Sequence, residues 1–155
     1  MIFVTVGTSS WDFSRLLIEM DAMAPELDEE IIMQIGYSVY IPSNTKYFRV
    51  ASSSKINSLY SNSRLVISHA GIGCILSALK FKKPLIIVPR RKAFNEHFDD
   101  HQVEIAQALQ THQRITVVWD IGALKSAVLN QINLQPTTKS DDSLVMRLRR
   151  YIDSL

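Results

Sequence analysis

Three segments carry the residue types that bind a charged small molecule, and each follows a short apolar run. Gly7-Thr8-Ser9-Ser10 comes directly after Ile2 to Val6 and ahead of a helix expected from Trp11 to Met23. Small residues and hydroxyls there leave backbone N–H groups free to face an anion at a helix N-terminus. A tight turn with a Ser or Thr cap uses the same residue types. Ser68-His69-Ala70-Gly71-Ile72-Gly73-Cys74 repeats the arrangement. Gly71 and Gly73 let backbone approach a ligand closely, as a phosphate-cradling turn requires. His69 stands where an imidazole meets a phosphate or sugar, or where backbone simply satisfies it. In Glu96-His97-Phe98-Asp99-Asp100-His101-Gln102, a cap at Asp99 or Asp100 would place His101 and Gln102 in a first helical turn, as donors to sugar hydroxyls or as a solvated helix start. Arg90 and Arg91 end another apolar run, where they would face an anionic ligand or lie on a solvated surface among Lys80, Lys82, Lys83 and Lys92.

Spacing excludes several other chemistries. A dinucleotide fingerprint needs a third glycine where Leu76 stands, and no G-x-x-x-x-G-K-[ST] occurs. His97 and His101 are four apart, but a zinc helix of the H-E-x-x-H type would need Glu where Phe98 stands, so no metal site is expected.

The elements that must position these loops alternate. Apolar runs rich in β-branched residues lie at Ile2 to Val6, Ile31 to Ile35, Leu65 to Ser68, Leu85 to Val88 and Ile115 to Val118, with a weaker one at Phe48 to Val50. Helical periods fall at Trp11 to Met23, Lys55 to Ser61, Ile72 to Phe81, Asp99 to Thr111, Gly122 to Ile132 and Asp142 to Leu155. The pattern predicts an α/β fold, a Rossmann-like parallel sheet with helices on both faces, whose ligand sits outside the carboxyl ends of the strands. Residues 1–134 form the expected domain, 135–141 a polar linker, and 142–155 an amphipathic helix with Leu144, Leu148, Ile152 and Leu155 on one face. That helix packs on its own sheet or docks on a partner or an anionic membrane surface. Truncation after Thr138 is expected to spare folding and weaken partner binding.

The 155 residues are 46% hydrophobic and 21% charged, which excludes disorder and fits one globular domain. A net charge of +2 argues against nucleic acid as a partner. The lone Cys74 forms no internal disulfide, and no apolar run reaches the ~18 residues of a membrane span.

VTVGTS, MQIGYSVYIP, VISHAGIGCIL, KPLIIVPR and EHFDDHQVEIA, in that order, resemble the glycosyltransferase family 28 C-terminal domain in its small free-standing form. Members serve as subunits of the two-component N-acetylglucosaminyltransferase of the dolichol pathway and of bacterial exopolysaccharide transferases. The resemblance spans roughly Ile2 to Val118. It implies the donor-binding half of a GT-B glycosyltransferase, a catalytic subunit moving a sugar with inversion from a UDP-sugar to a lipid-diphosphate-linked acceptor. The UDP-sugar is substrate, and no cofactor is implied. A membrane-anchored acceptor-binding subunit is the implied partner, holding this chain at the cytoplasmic face of the membrane. The isolated chain would form a homodimer through the docking face.

The resemblance also implies roles. Gly7, Thr8 and Ser9 face the interdomain cleft, and His69, Ala70, Gly71 and Gly73 lie on the diphosphate side. Backbone amides at two helix N-termini, with His69 as the catalytic residue or Arg90, would stabilise the leaving UDP. His101 and Gln102 match the pair that contacts the donor sugar, so their alanine variants should lose transfer rate more than stability. The family carries Ser at Cys74 and Asp or Glu at Ser77, the acid that holds the ribose, so Glu96 or a water would substitute, or donor affinity would be reduced. No general base is assigned. These two departures leave open a non-catalytic accessory subunit that stabilises or enhances a partner glycosyltransferase.

Overall fold

In a computed structural model of the chain, residues 1–132 are described together with Met146, Leu148 and Arg150. The strands are β1 (Ile2–Thr5), β2 (Ile31–Gln34), β3 (Lys46–Phe48), β4 (Leu65–His69), β5 (Leu85–Val88) and β6 (Ile115–Val117). The helices are α1 (Ser14–Met23), α2 (Ser53–Asn62), α3 (Ile72–Lys80), α4 (His101–Leu109) and α5 (Leu124–Ile132). All strands pair in parallel, in the order β3-β2-β1-β4-β5-β6. The expected α/β sheet is therefore present, and its order reverses between β1 and β4, where a doubly wound sheet opens a crevice at its carboxyl end.

Alternation along the strands sorts the core into two layers. Ile2, Val4, Leu65, Ile67, Ile86 and Val88 pack with Leu16, Leu17 and Met20 of α1 and Leu124 and Val128 of α5. Phe3, Val66, Leu85 and Ile87 pack the other way, on Tyr60 of α2, Ile75 of α3 and Ile105 of α4. Each such fully buried side chain contributes roughly 1.5–3 kcal/mol, which favours strands apolar on both faces.

Several boundaries differ from expectation by two or three residues, and two of them have a visible cause. The edge strand occupies Lys46–Phe48, ahead of the apolar Phe48 to Val50, because Gln34 pairs with Phe48; Val50, beyond the pairing, is 59% exposed. Helix α1 begins at Ser14, because the fully buried Phe13 has a backbone conformation outside the helical region (φ −139°, ψ 40°). Ahead of it the Asp12 carboxylate accepts bonds from the Ser14 hydroxyl (2.7 Å) and the Val39 N–H (2.9 Å).

The long loop between β2 and β3 hangs on Asp21. Its carboxylate, 1% exposed, accepts from the Tyr40 hydroxyl (2.8 Å), Ser43 N–H (2.9 Å), Asn44 N–H (2.9 Å) and the Thr45 hydroxyl (3.1 Å). Burial pushes the Asp21 carboxyl up, but these bonds outweigh it and hold it below the usual carboxylate range. Because the folded chain binds this proton less readily than the unfolded one, the stabilisation is complete above the ordinary value near 3.8 and disappears as pH falls through the lowered folded value. Asp21→Asn is expected to lower unfolding free energy at pH 7 by about 1–3 kcal/mol. Denaturant titrations should show that difference narrowing below about pH 4, the unfolded carboxylate range; a pH-independent difference would contradict the assignment.

The linker expected at 135–141 and most of 142–155 lie outside the described residues. Met146, Leu148 and Arg150 are helical, and Leu148, 2% exposed, belongs to the core layer that contains Ile105 and Leu109. Among the described residues no helix is long and apolar enough to cross a membrane.

Candidate functional site

At the β1/β4 reversal lies a cleft of about 530 Å³. Thr5 and Gln34 lie at the ends of neighbouring strands, Ser53, Ile56, Asn57 and Tyr60 come from α2, and Gly73, Cys74 and Ser77 come from α3. Gly7, Thr8, Ser9 and His69 complete it. The two small-residue turns thus meet in one crevice. Among the described residues no Asp, Glu, Lys or Arg lines it.

His69 is the hub behind these turns. A Cβ on Gly7, whose φ is +72°, would lie 2.7 Å from the His69 Nε2, and one on Gly71 would lie 2.1 Å from its Cε1. Glycine is thus required on both sides of the ring, by a positive φ at Gly7 and by contact at both. On Gln102 the Oε1 accepts from the N–H groups of Ala70 (3.1 Å) and Arg90 (3.2 Å), which orients the amide. Its Nε2 therefore donates to His69 Nδ1 at 3.2 Å. That bond places the neutral ring's proton on Nε2, 3.3 Å from the Cys74 sulfur as a weak donor. Burial first, then Arg90, pulls the His69 pKa down to about 4, and burial pushes the Cys74 thiol up. His69 is accordingly an uncharged donor at neutral pH, and not a cationic partner for a phosphate. A folded-state pKa below the unfolded value means that its contribution to stability is complete above about pH 6.5 and is lost as pH falls toward 4. Nitrogen-detected NMR should show an Nε2-protonated ring that does not titrate between pH 5.5 and 8; a midpoint near the ordinary histidine value would contradict this tautomer.

Several expected ligand contacts are placed elsewhere. Arg90 is fully buried and donates to the carbonyls of Trp11 (3.0 Å), Asp12 (3.1 Å), Glu96 (3.1 Å) and Val6 (2.9 Å), so it ties two loops together and lies outside the crevice lining. Glu96, 5% exposed, is held by Arg15 at 2.7 and 2.9 Å and by the Arg91 N–H at 3.0 Å, away from the crevice, so it is not the substitute for an acid at Ser77. Ser77 does line the crevice and bonds the Gly73 carbonyl at 2.8 Å. Gln102, 8% exposed, braces His69 and is not an exposed helix-start donor; its alanine variant should therefore cost stability as well as activity. His101 has its Nδ1 3.4 Å from Glu104, while His97 pairs with Asp99 at 2.7 Å, so the two imidazoles serve separate carboxylates. Ala70 and Gly71 form the turn behind the crevice, outside its lining. α3 brings its N-terminus to the site and α2 its first residue, Ser53, whereas α1 starts at Ser14, seven residues beyond Gly7.

Thr5, Gln34, Ser53 and Asn57 were not expected in the site. Thr5 and Gln34 carry a signal, since a polar side chain closing an otherwise apolar buried strand requires a partner. A larger cavity of about 780 Å³ opens on Arg91, Asp100, Val103, Gln107 and Trp119, but neither glycine turn reaches it.

Residues 1–144 match the family described as the glycosyltransferase family 28 C-terminal domain. The chain is 33% identical over 119 residues to a UDP-N-acetylglucosamine transferase subunit ALG13 of Candida albicans, covering 77% of this chain and 37% of that protein. It is 46% identical over 107 residues to the subunit of that name from Debaryomyces hansenii, covering 64% of this chain and 49% of that one. The chain thus spans less than half the length of either. Its fold is similar to the NMR structure of ALG13, with a TM-score of 0.58 at 20% identity, covering 95% and 93% of the two chains. It is also similar to the glycotransferase of kitacinnamycin, with a TM-score of 0.66 at 14% identity, covering 96% of this chain and 39% of that one.

Proposed function

Because the chain belongs to the glycosyltransferase family 28 C-terminal domain family, we propose that the β1/β4 crevice binds the UDP-sugar donor of a two-component glycosyltransferase. The supporting observation is the meeting of Gly7-Thr8-Ser9 with the His69 to Gly73 turn at the start of α3, on a sheet whose order reverses there. Backbone N–H groups at such a turn and helix start complement a diphosphate without a metal. Transfer with inversion would place the departing UDP on these amides and on the uncharged His69 N–H, while the acceptor hydroxyl and its base come from the partner. The names of the relatives favour N-acetylglucosamine as the sugar. A lipid-diphosphate-linked acceptor, a membrane-anchored partner and a place at the cytoplasmic membrane face complete the reading, for a dolichol-type or exopolysaccharide glycan alike.

Calorimetric titration with UDP and a panel of UDP-sugars, first on the chain alone and then with an acceptor-binding partner, tests this. Saturable binding of a UDP-sugar, with UDP-N-acetylglucosamine tightest, is the expected result. The crevice's lack of any carboxylate favours one other reading, an accessory subunit, and absence of donor binding in both conditions would establish that reading instead.

A further inference from the structure

We propose that Gln34 is a positioning donor at the floor of the crevice, binding a phosphate oxygen of the nucleotide; this rests on the donor-site reading above. The residue is only 5% exposed, yet it lines the crevice. The Gly7 N–H donates to Thr5 Oγ1 at 3.1 Å, and the Thr5 hydroxyl donates in turn to Gln34 Oε1 at 2.7 Å. In that bond the amide turns its Oε1 toward Thr5 and its Nε2 away from it. With Oε1 held, the Nε2 amino group has no protein partner among the described residues. Among the described residues Arg90 Nε and Arg91 Nε are the side-chain nitrogens sealed from solvent without a partner; Gln34 Nε2, on a residue that lines the crevice, is not one of them and so keeps access to it.

The chemistry of that opening selects its ligand. Gly7 to Thr5 to Gln34 is a relay in which each donation polarises the next donor. It ends in N–H groups, because the amide oxygen is turned toward Thr5. Such an end suits an oxygen that only accepts, and a ribose hydroxyl, which also seeks an acceptor, is the poorer match. The relay starts in the first glycine turn, which places its end beside the proximal phosphate of a nucleotide cradled there. Among the described residues no Lys or Arg lines the crevice, which leaves neutral donors of this kind to hold the phosphates.

Affinities of the full chain for uridine, UMP and UDP, measured for wild type, Gln34→Met and Gln34→Glu, test the assignment. Gln34→Met should weaken UMP and UDP roughly tenfold through one lost charge-assisted bond and leave uridine unchanged. Gln34→Glu should weaken both phosphates further, by like charge, and again spare uridine. Thr5→Val, which frees the amide to turn without touching it, should weaken UMP by a smaller factor, and it serves if a Gln34 variant fails to fold. Equal loss for uridine and UMP would move the contact to the base and overturn the inference, as would unchanged UMP binding in the variants. A wild-type chain that takes up no uracil nucleotide, either alone or with an acceptor-binding partner, overturns the reading of the crevice itself, and this inference with it.

Discussion

Gly71→Ala is expected to lower UDP-sugar affinity by at least tenfold and unfolding free energy by about 1–3 kcal/mol, the range for overfilling a packed site. The added methyl would sit 2.1 Å from His69 Cε1 and 2.7 Å from Nδ1, although the backbone at Gly71 is unstrained. The ring must therefore move, and with it go the bonds to Gln102 and Cys74. A double-mutant cycle isolates the cause. In a His69→Ala background the methyl has space, so its penalty should largely vanish. An undiminished penalty in that background would show that Gly71 serves some purpose other than seating the imidazole.

Arg90→Met should produce the largest loss of stability, about 3–5 kcal/mol, as for other buried charge networks that lose one partner. Methionine fills much of the volume but leaves the carbonyls of Val6, Trp11, Asp12 and Glu96 without their donor in a site closed to solvent. It also removes the guanidinium from its place 4.7 Å over the Phe13 ring. For a domain of this size that corresponds to a thermal midpoint lower by about 10 °C, at roughly 2–4 °C per kcal/mol. Arg90→Lys should recover little, because an ammonium group lacks the planar fork that reaches four carbonyls on two loops. A variant of either kind with the wild-type midpoint would remove Arg90 from the scaffold and return it to the list of ligand contacts.

Arg90 also shows where sequence reasoning stopped. The strands were legible because β-branched runs buried on both faces have few other uses, and the two glycine turns because few other residues fit there. What spacing left open was the side on which a strand-end residue falls. Carrying the alternation of Ile86 and Val88 onward points Arg90 toward Phe13 and Val6, in the layer built on α1. The same rule sends Thr5, in step with Phe3, toward α2 and α3, where the crevice lies. Gln102 was misplaced for another reason. A polar residue in a first helical turn is exposed unless something packs over it, and the β4 turn that does so is 32 residues distant along the chain. Asp21 likewise lies within a helix whose pattern gives no hint of the loop that closes on it.

A nucleotide sugar bound where the turns after β1 and β4 meet should register in amide NMR of the full chain titrated with UDP-N-acetylglucosamine. The expected result is saturable shifts concentrated at Gly7, Thr8, Ser9, Gly73 and Cys74, with the Gln34 side-chain amide moving alongside them. Shifts confined to the cavity at Gln107 and Trp119, or none at saturating ligand, would contradict it.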